Sequence, residues 1–142
     1  MEITLRWWEP VDLDLWVLEP GGDPETGWIY FGQHNQEQGH PDSPTGGHLQ
    51  FDEIPDCETS GEYVEHVVWS TETAPEGTYT VRVDLFNDCN SEGSPQIEYE
   101  VIIRVNGVLR DPELGVLDDS EPGETDEDEF TFEVGGEGDS GE

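Results

Sequence analysis

Val11-Asp-Leu-Asp-Leu-Trp-Val-Leu-Glu-Pro20 is the stretch whose reading decides the fold. Leu13, Leu15 and Val17 alternate with Asp12, Asp14 and Trp16. Residues two apart share a face of a strand. The three aliphatics therefore enter a core, and the two carboxylates stand side by side on the opposite face. Two neighbouring anions repel, and the simplest remedies are solvent or a shared cation. A hard cation with oxygen ligands, Ca²⁺ above all, suits the pair Asp12 and Asp14. The bland reading is a pair of solvated surface acids, in a chain where 36 of 142 residues are acidic.

The same alternation recurs on both sides of this strand. Ile3, Leu5 and Trp7 alternate with Thr4, Arg6 and Trp8, which predicts Trp7 inward and Trp8 outward. Glu9-Pro10 breaks that first strand, because proline donates no ladder hydrogen bond. Pro20-Gly-Gly-Asp-Pro24 is a turn, and Trp28-Ile-Tyr-Phe31 reads as a short strand pairing back on 12–18. Residues 32–47 carry little that can be buried and read as irregular. His48 to Asp52 and Val64 to Trp69 are further strands. Tyr79, Val81, Val83 and Leu85 face one way, with Thr80, Arg82 and Asp84 opposite. Gln96 to Val105 repeats this, with Ile97, Tyr99, Val101, Ile103 and Val105 inward. Asn106-Gly107 is a hairpin turn leading to Val108-Leu109.

No helical periodicity is sustained anywhere. Eight or nine short strands punctuated by turns specify an all-β chain, an antiparallel β-sandwich or jelly-roll-like fold. The expected division is a sandwich core over 1–110, an acidic loop over 111–129, a possible final strand over 130–134 and a disordered tail over 135–142.

The 36 acids face four arginines and no lysine, for a formal charge of −32. Such a field repels phosphate backbones and anionic membrane surfaces, and so excludes nucleic acid as a partner. No apolar run approaches the roughly 20 residues needed to span a bilayer, so no membrane insertion is expected. The acidity has two compatible explanations: cation binding, and adaptation to a salty environment. Met1 stands two residues before strand-like sequence, which fits either a piece of a longer precursor or a cytosolic start.

Cys57 and Cys89 occupy similar settings, Pro55-Asp-Cys57 and Asn87-Asp-Cys89. A bridge between them closes a loop of about 33 residues and stabilises by about 3–4 kcal/mol. An even cysteine count in a helix-free acidic domain points to a disulfide and an oxidising compartment. The alternative is two unrelated thiols.

Trp7-x-x-x-Val11-Asp-Leu-Asp-Leu-x-Val17-x-x-Pro20, then Ile29-Tyr-Phe-Gly32, then Gly46-Gly-x-Leu49-x-x-Asp52, form an ordered series of motifs. Val64-Glu-His-Val-Val-Trp69 and Ala74-Pro-Glu-Gly-Thr-Tyr-Thr-Val-Arg-Val83 continue it. The series resembles the YfaP-like family of bacterial extracellular domains of unknown function, in its cysteine-containing branch, over residues 4–107. The resemblance implies a secreted or surface-attached β-sandwich, often an accessory module beside other domains. It also implies a calcium site, carried over to Asp12, Asp14, Asp52 and Glu65; apart from the resemblance, Asp56 and Asp42 stand as reserve ligands. Gln50 stands where the family often has aspartate, which removes one charge from that set.

The remaining residue types point to little chemistry. His34, His40, His48 and His66 match no ligand spacing and read as loop or hydrogen-bonded histidines. Trp8, Trp16, Trp28 and Trp69 either pack the sheets or present an indole to a sugar ring. No nucleophile elbow or phosphate-cradling glycine loop occurs, and no carboxylate pair stands out, so no enzyme is expected. The expected function is a non-catalytic, calcium-stabilised module with a binding or structural role at the cell surface and a glycan or protein partner. Its alternatives are a structural subunit of a surface, filament or virion assembly in a halophile, there assembled in the cytosol, and a carbohydrate-binding module. Oligomeric state is left open.

Overall fold

A computed structural model of the chain describes residues 1–8, 12–35, 39–51, 64–69, 74–87, 96–105, 107–118 and 127–135. Among these the regular elements are all strands, arranged as two antiparallel sheets. They are β1 Glu2–Trp7, β2 Asp12–Leu18, β3 Trp28–Ile29, β4 Gly47–Phe51 and β5 Val64–Trp69. The second half supplies β6 Gly77–Asn87, β7 Gln96–Val105, β8 Val108–Leu109, β9 Glu113–Asp118 and β10 Glu127–Val134.

The first sheet runs β4-β5-β1-β7, and β8 and β9 share the far edge of β7. β8 covers Arg104 and Val105; β9 covers Gln96 to Val101. The second sheet runs β10-β6-β2-β3. The alternation read from the sequence sets the core. Ile3, Leu5, Trp7, Val67, Ile97, Tyr99 and Val101 of the first sheet are buried, as are Leu13, Leu15, Val17, Tyr79, Val81 and Val83 of the second. In-register rows such as Leu13↔Leu85, Leu15↔Val83 and Val17↔Val81 keep the aliphatic face of β2 continuous with that of β6. Trp7 is buried and Trp8 exposed, as the alternation requires.

Aromatic contacts and a hydrogen bond also tie the sheets together. Tyr79 stacks on Phe132 and meets the edge of Trp69. The Tyr99 hydroxyl on β7 donates to Asp128 on β10 at 2.7 Å. This bond crosses from one sheet to the other where β9 and β10 approach.

Among the described residues there are ten strands, close to the eight or nine expected. The addition is β9, inside the stretch expected to be an acidic loop. Leu117 there is fully buried, and Gly115 lies under the Tyr99 ring. The final strand also begins earlier, at Glu127, because β10 pairs with β6 in register from Glu127↔Asp84 to Val134↔Gly77. Conversely, the third strand stops at Ile29, since Tyr30 and Gln33 close a tight turn with reciprocal backbone hydrogen bonds. Cys57, Cys89, Asp52 and Asp56 lie outside the described residues.

Candidate functional site

β3 covers only Val17 and Leu18 of β2. Towards its start, β2 keeps a ladder partner on its other side alone, β6, among the described strands. The side chain of Glu65 reaches this edge from the first sheet: the Leu15 amide donates to its Oε1 at 2.9 Å. Alternation along β5 explains why an acid points inward. Glu65, Val67 and Trp69 are buried and Val64, His66 and Val68 only partly so.

Leu15 shares its peptide bond with Asp14, which is 2% exposed; Glu65 has no exposed surface. Two buried carboxylates, from opposite sheets, are thus attached to a single peptide unit. Burying a carboxylate is costly unless charge and hydrogen bonds answer it, at several kcal/mol per ion even after relaxation. Oxygen-only donors of this kind suit a hard cation far better than a thiophilic one.

Asp14 and Glu65 therefore meet the same stretch of β2, Asp14 as part of the strand and Glu65 through its bond to the Leu15 amide. The backbone of Asp12 lies in β2 opposite Asn87, with a bulge between Asp12 and Leu13, and its side chain is outside the description. Asp52 is also outside it; the strand before it ends with Phe51 paired to His66, next to Glu65. Gln50 falls at the bulge between Leu49 and Phe51 and is exposed. Asp42 is engaged elsewhere, 3.5 Å from His48 Nδ1. Among the described residues no three His, Cys, Asp or Glu side chains form a group able to hold a metal ion.

Sequence reasoning missed Asp84. It stands directly opposite Asp14 across the β2–β6 ladder, and Glu127 stands opposite Asp84 across β6–β10. Cβ atoms so paired are about 4.5–5.5 Å apart, and like charges there destabilise. The alternation along β6 puts Asp84 on the outer face, but its register against Asp14 is not readable from spacing. Two residues earlier on the same face of β6, Arg82 bridges Glu127 at 3.0 Å and Glu129 at 3.1 Å.

Most indoles are occupied by packing. Trp16 stacks on Tyr30 at 3.8 Å and meets Trp28 edge-on at 6.0 Å. The Arg82 guanidinium sits 4.4 Å from the Trp28 ring centroid. Trp28 Nε1 donates to the Pro24 carbonyl. Trp69 is buried, its Nε1 shared between Glu19 and Thr45. The histidines are held locally: His34 to the Pro41 carbonyl, His40 to the Asn35 amide, His48 to the Gly46 carbonyl and His66 to Thr4.

A cleft of about 550 Å³ opens between the turn after β2 and the segment before β4. Glu19, Asp23, Gln33, His34, Ser43 and Thr45 line it, and neither Asp14 nor Glu65 is among the described residues that do. The Thr45 hydroxyl donates to Glu19, fixing the carboxylate at its wall.

Behind that wall, burial pushes the Tyr79 phenol well above its ordinary value near 10, and the Glu19 charge adds to the shift. The unfolded chain releases this proton near the ordinary value; the folded chain holds it to higher pH. Stability from this group is intact below about pH 10 and falls as pH rises beyond it. Tyr79→Phe keeps the ring but loses the hydrogen bond to the Pro75 carbonyl. The variant is expected to cost about 1 kcal/mol at neutral pH. Urea titrations from pH 8 to 11 should show that deficit shrinking above pH 10.

Comparison with protein-family models, with curated proteins and with solved structures found no match.

Proposed function

We propose that this chain is a non-catalytic extracellular β-sandwich module, of the kind the YfaP-like motifs imply, in which Ca²⁺ ties β2 to the first sheet. The observation that carries the reading is the burial of Asp14 and Glu65 on either side of the Asp14–Leu15 peptide. Asp12 and Asp52 complete the proposed donor set, with backbone carbonyls and water filling six to eight oxygen positions. The ion's work is structural: it neutralises carboxylates that the fold buries, and it fixes the loops around the start of β2. A role in binding at the cell surface then belongs to the surfaces this arrangement holds in place. The Cys57–Cys89 disulfide belongs to the same proposal.

Millimolar Ca²⁺ at a hundredfold excess over its dissociation constant is expected to add about 2.7 kcal/mol of stability. For a chain of this size that raises the melting temperature by roughly 10 °C. Asp14→Asn should remove most of the gain. An unchanged melting temperature on adding calcium or EDTA would reject the reading.

A second reading, a subunit of a salt-adapted assembly, is favoured by the 36 acids and the absence of lysine. Size-exclusion chromatography across a KCl series separates the two. Assembly or refolding driven by KCl alone supports the second, and calcium dependence at constant ionic strength supports the first. A glycan-binding role has its best-placed indole in Trp8, exposed beside Arg6; a glycan array tests it.

A further inference from the structure

The cleft between the turn after β2 and the segment before β4 offers about 550 Å³, within the usual range for a small-molecule site. The hydrogen bonds along its wall decide what it can take. The Thr45 hydroxyl gives its only hydrogen to Glu19 Oε2, which also receives Trp69 Nε1 at 3.4 Å. Ser43 Oγ lies 3.2 Å from Thr45 Oγ1, so the serine hydroxyl is the donor in that pair. Both hydroxyl hydrogens thus lie along a chain that ends on Glu19, and Ser43 Oγ accepts the Gly47 amide. The amide hydrogens of Gln33 go to the Thr26 and Trp28 carbonyls, each at 2.7 Å. That fixes the orientation of the amide and leaves Oε1, an acceptor, unused. His34 Nδ1 lies 2.8 Å from the Pro41 carbonyl, which only accepts; Nδ1 is therefore the donor, and Nε2 of the neutral ring is an acceptor. Asp23 Oδ1 takes the Glu25 amide.

Glu19 Oε1, Asp23 Oδ2, Gln33 Oε1 and His34 Nε2 keep no partner among the described residues. All of them accept and none donates. Among the described side chains lining the cleft, only the exposed Thr26 hydroxyl retains a hydrogen to give. Acceptors without donors suit a ligand that brings donors without acceptors. A polyol hydroxyl fits poorly, because its own oxygen asks for a donor. An anion meets carboxylates in a chain of net charge −32. For a metal ion, no three His, Cys, Asp or Glu among the described residues form a group able to hold it. A guanidinium carries five N–H donors, no acceptor and a fixed positive charge, so it answers several acceptors at once with charge-assisted bonds. Pro20 and Pro44 also line the cleft and offer apolar surface to an aliphatic stem.

We propose that this cleft binds an alkylguanidinium, the cationic end of a small molecule or of an arginine side chain. Glu19 and Asp23 supply the charge. Gln33 and His34 supply neutral acceptors, which reward N–H donors and not charge alone. Neither Asp14 nor Glu65 lines the cleft, so the proposal stands apart from the calcium reading.

The test is calorimetric titration of the full chain at constant millimolar Ca²⁺, in 0.5 M KCl to suppress diffuse counterion binding. Three probes share one butyl stem: butylguanidinium, butyltrimethylammonium (equal charge, no N–H) and butylurea (N–H donors, no charge). Butylguanidinium is expected to fill one saturable site at least tenfold more tightly than either of the others. Asp23→Asn keeps the acceptor for the Glu25 amide, and Glu19→Gln keeps a carbonyl for the Thr45 hydroxyl. Each is expected to weaken butylguanidinium binding at least fivefold. Asp23 is exposed, so its variant reads the site even if Glu19→Gln fails to fold. A blocked arginine tripeptide then tells the source: tighter binding than butylguanidinium assigns the cation to a protein side chain, equal or weaker binding to a free small molecule. Equal affinity for butylguanidinium and butyltrimethylammonium, or undiminished binding by Asp23→Asn, would overturn the proposal.

Discussion

Glu65→Ala is expected to remove about 3–5 kcal/mol from the stability of the folded chain. Truncation strips the buried Leu15 amide of its acceptor, removes a carboxylate that a cation would otherwise hold, and opens a cavity between the sheets. Against a total of about 5–15 kcal/mol for an ordinary domain, this is a large fraction. Glu65→Gln retains a carbonyl acceptor of nearly the same shape and should recover more than half of the loss without calcium. Urea denaturation of the two variants, with midpoints compared at equal slope, reads the difference. A loss below about 1 kcal/mol for the alanine variant would show that Glu65 does not hold β2.

Gly115→Ala is the second large effect, and it acts through space rather than through backbone freedom. A Cβ at this position would lie 2.3 Å from Cζ and Oη of Tyr99. That ring is buried and its hydroxyl is held by Asp128 on the other sheet. It cannot swing aside without giving up the bond between sheets. The expected cost is about 3 kcal/mol, at the upper end for overpacking. Tyr99→Leu in the same chain should absorb the extra methyl, so the two substitutions together cost less than the sum of each alone. Strict additivity in denaturant melts would mean that the ring does not constrain β9.

These two residues also mark how far the sequence can be read. The faces of β1, β2, β6 and β7 follow directly from period-two alternation, because each buries one face against the opposite sheet. β9 does not follow. Its run Glu113-Leu-Gly-Val-Leu-Asp118 is short, acidic at both ends and interrupted by glycine. The reason for the glycine, a tyrosine from β7 lying over it, exists only once the strands are paired. Glu65 was legible in principle: it shares a face with Val67 and Trp69, which puts a carboxylate in the core. Asp84 was legible as an outward residue but not as the neighbour of Asp14, since register between strands 70 residues apart leaves no trace in spacing. The paired carboxylates of Asp12 and Asp14 suggested one open acidic face. Asp14 instead lies buried, in a chain whose aromatic residues Trp16 and Tyr30 stack on each other nearby.

The central claim is that one divalent ion answers the buried carboxylates at the start of β2. Calorimetric titration of Ca²⁺ into EDTA-stripped, desalted protein, repeated in 2 M KCl to suppress diffuse counterion binding, tests it most directly. One saturable site per chain in both conditions, absent from Asp14→Asn, is the expected result. Heats that never saturate, or an isotherm that Asp14→Asn leaves unchanged, would contradict it.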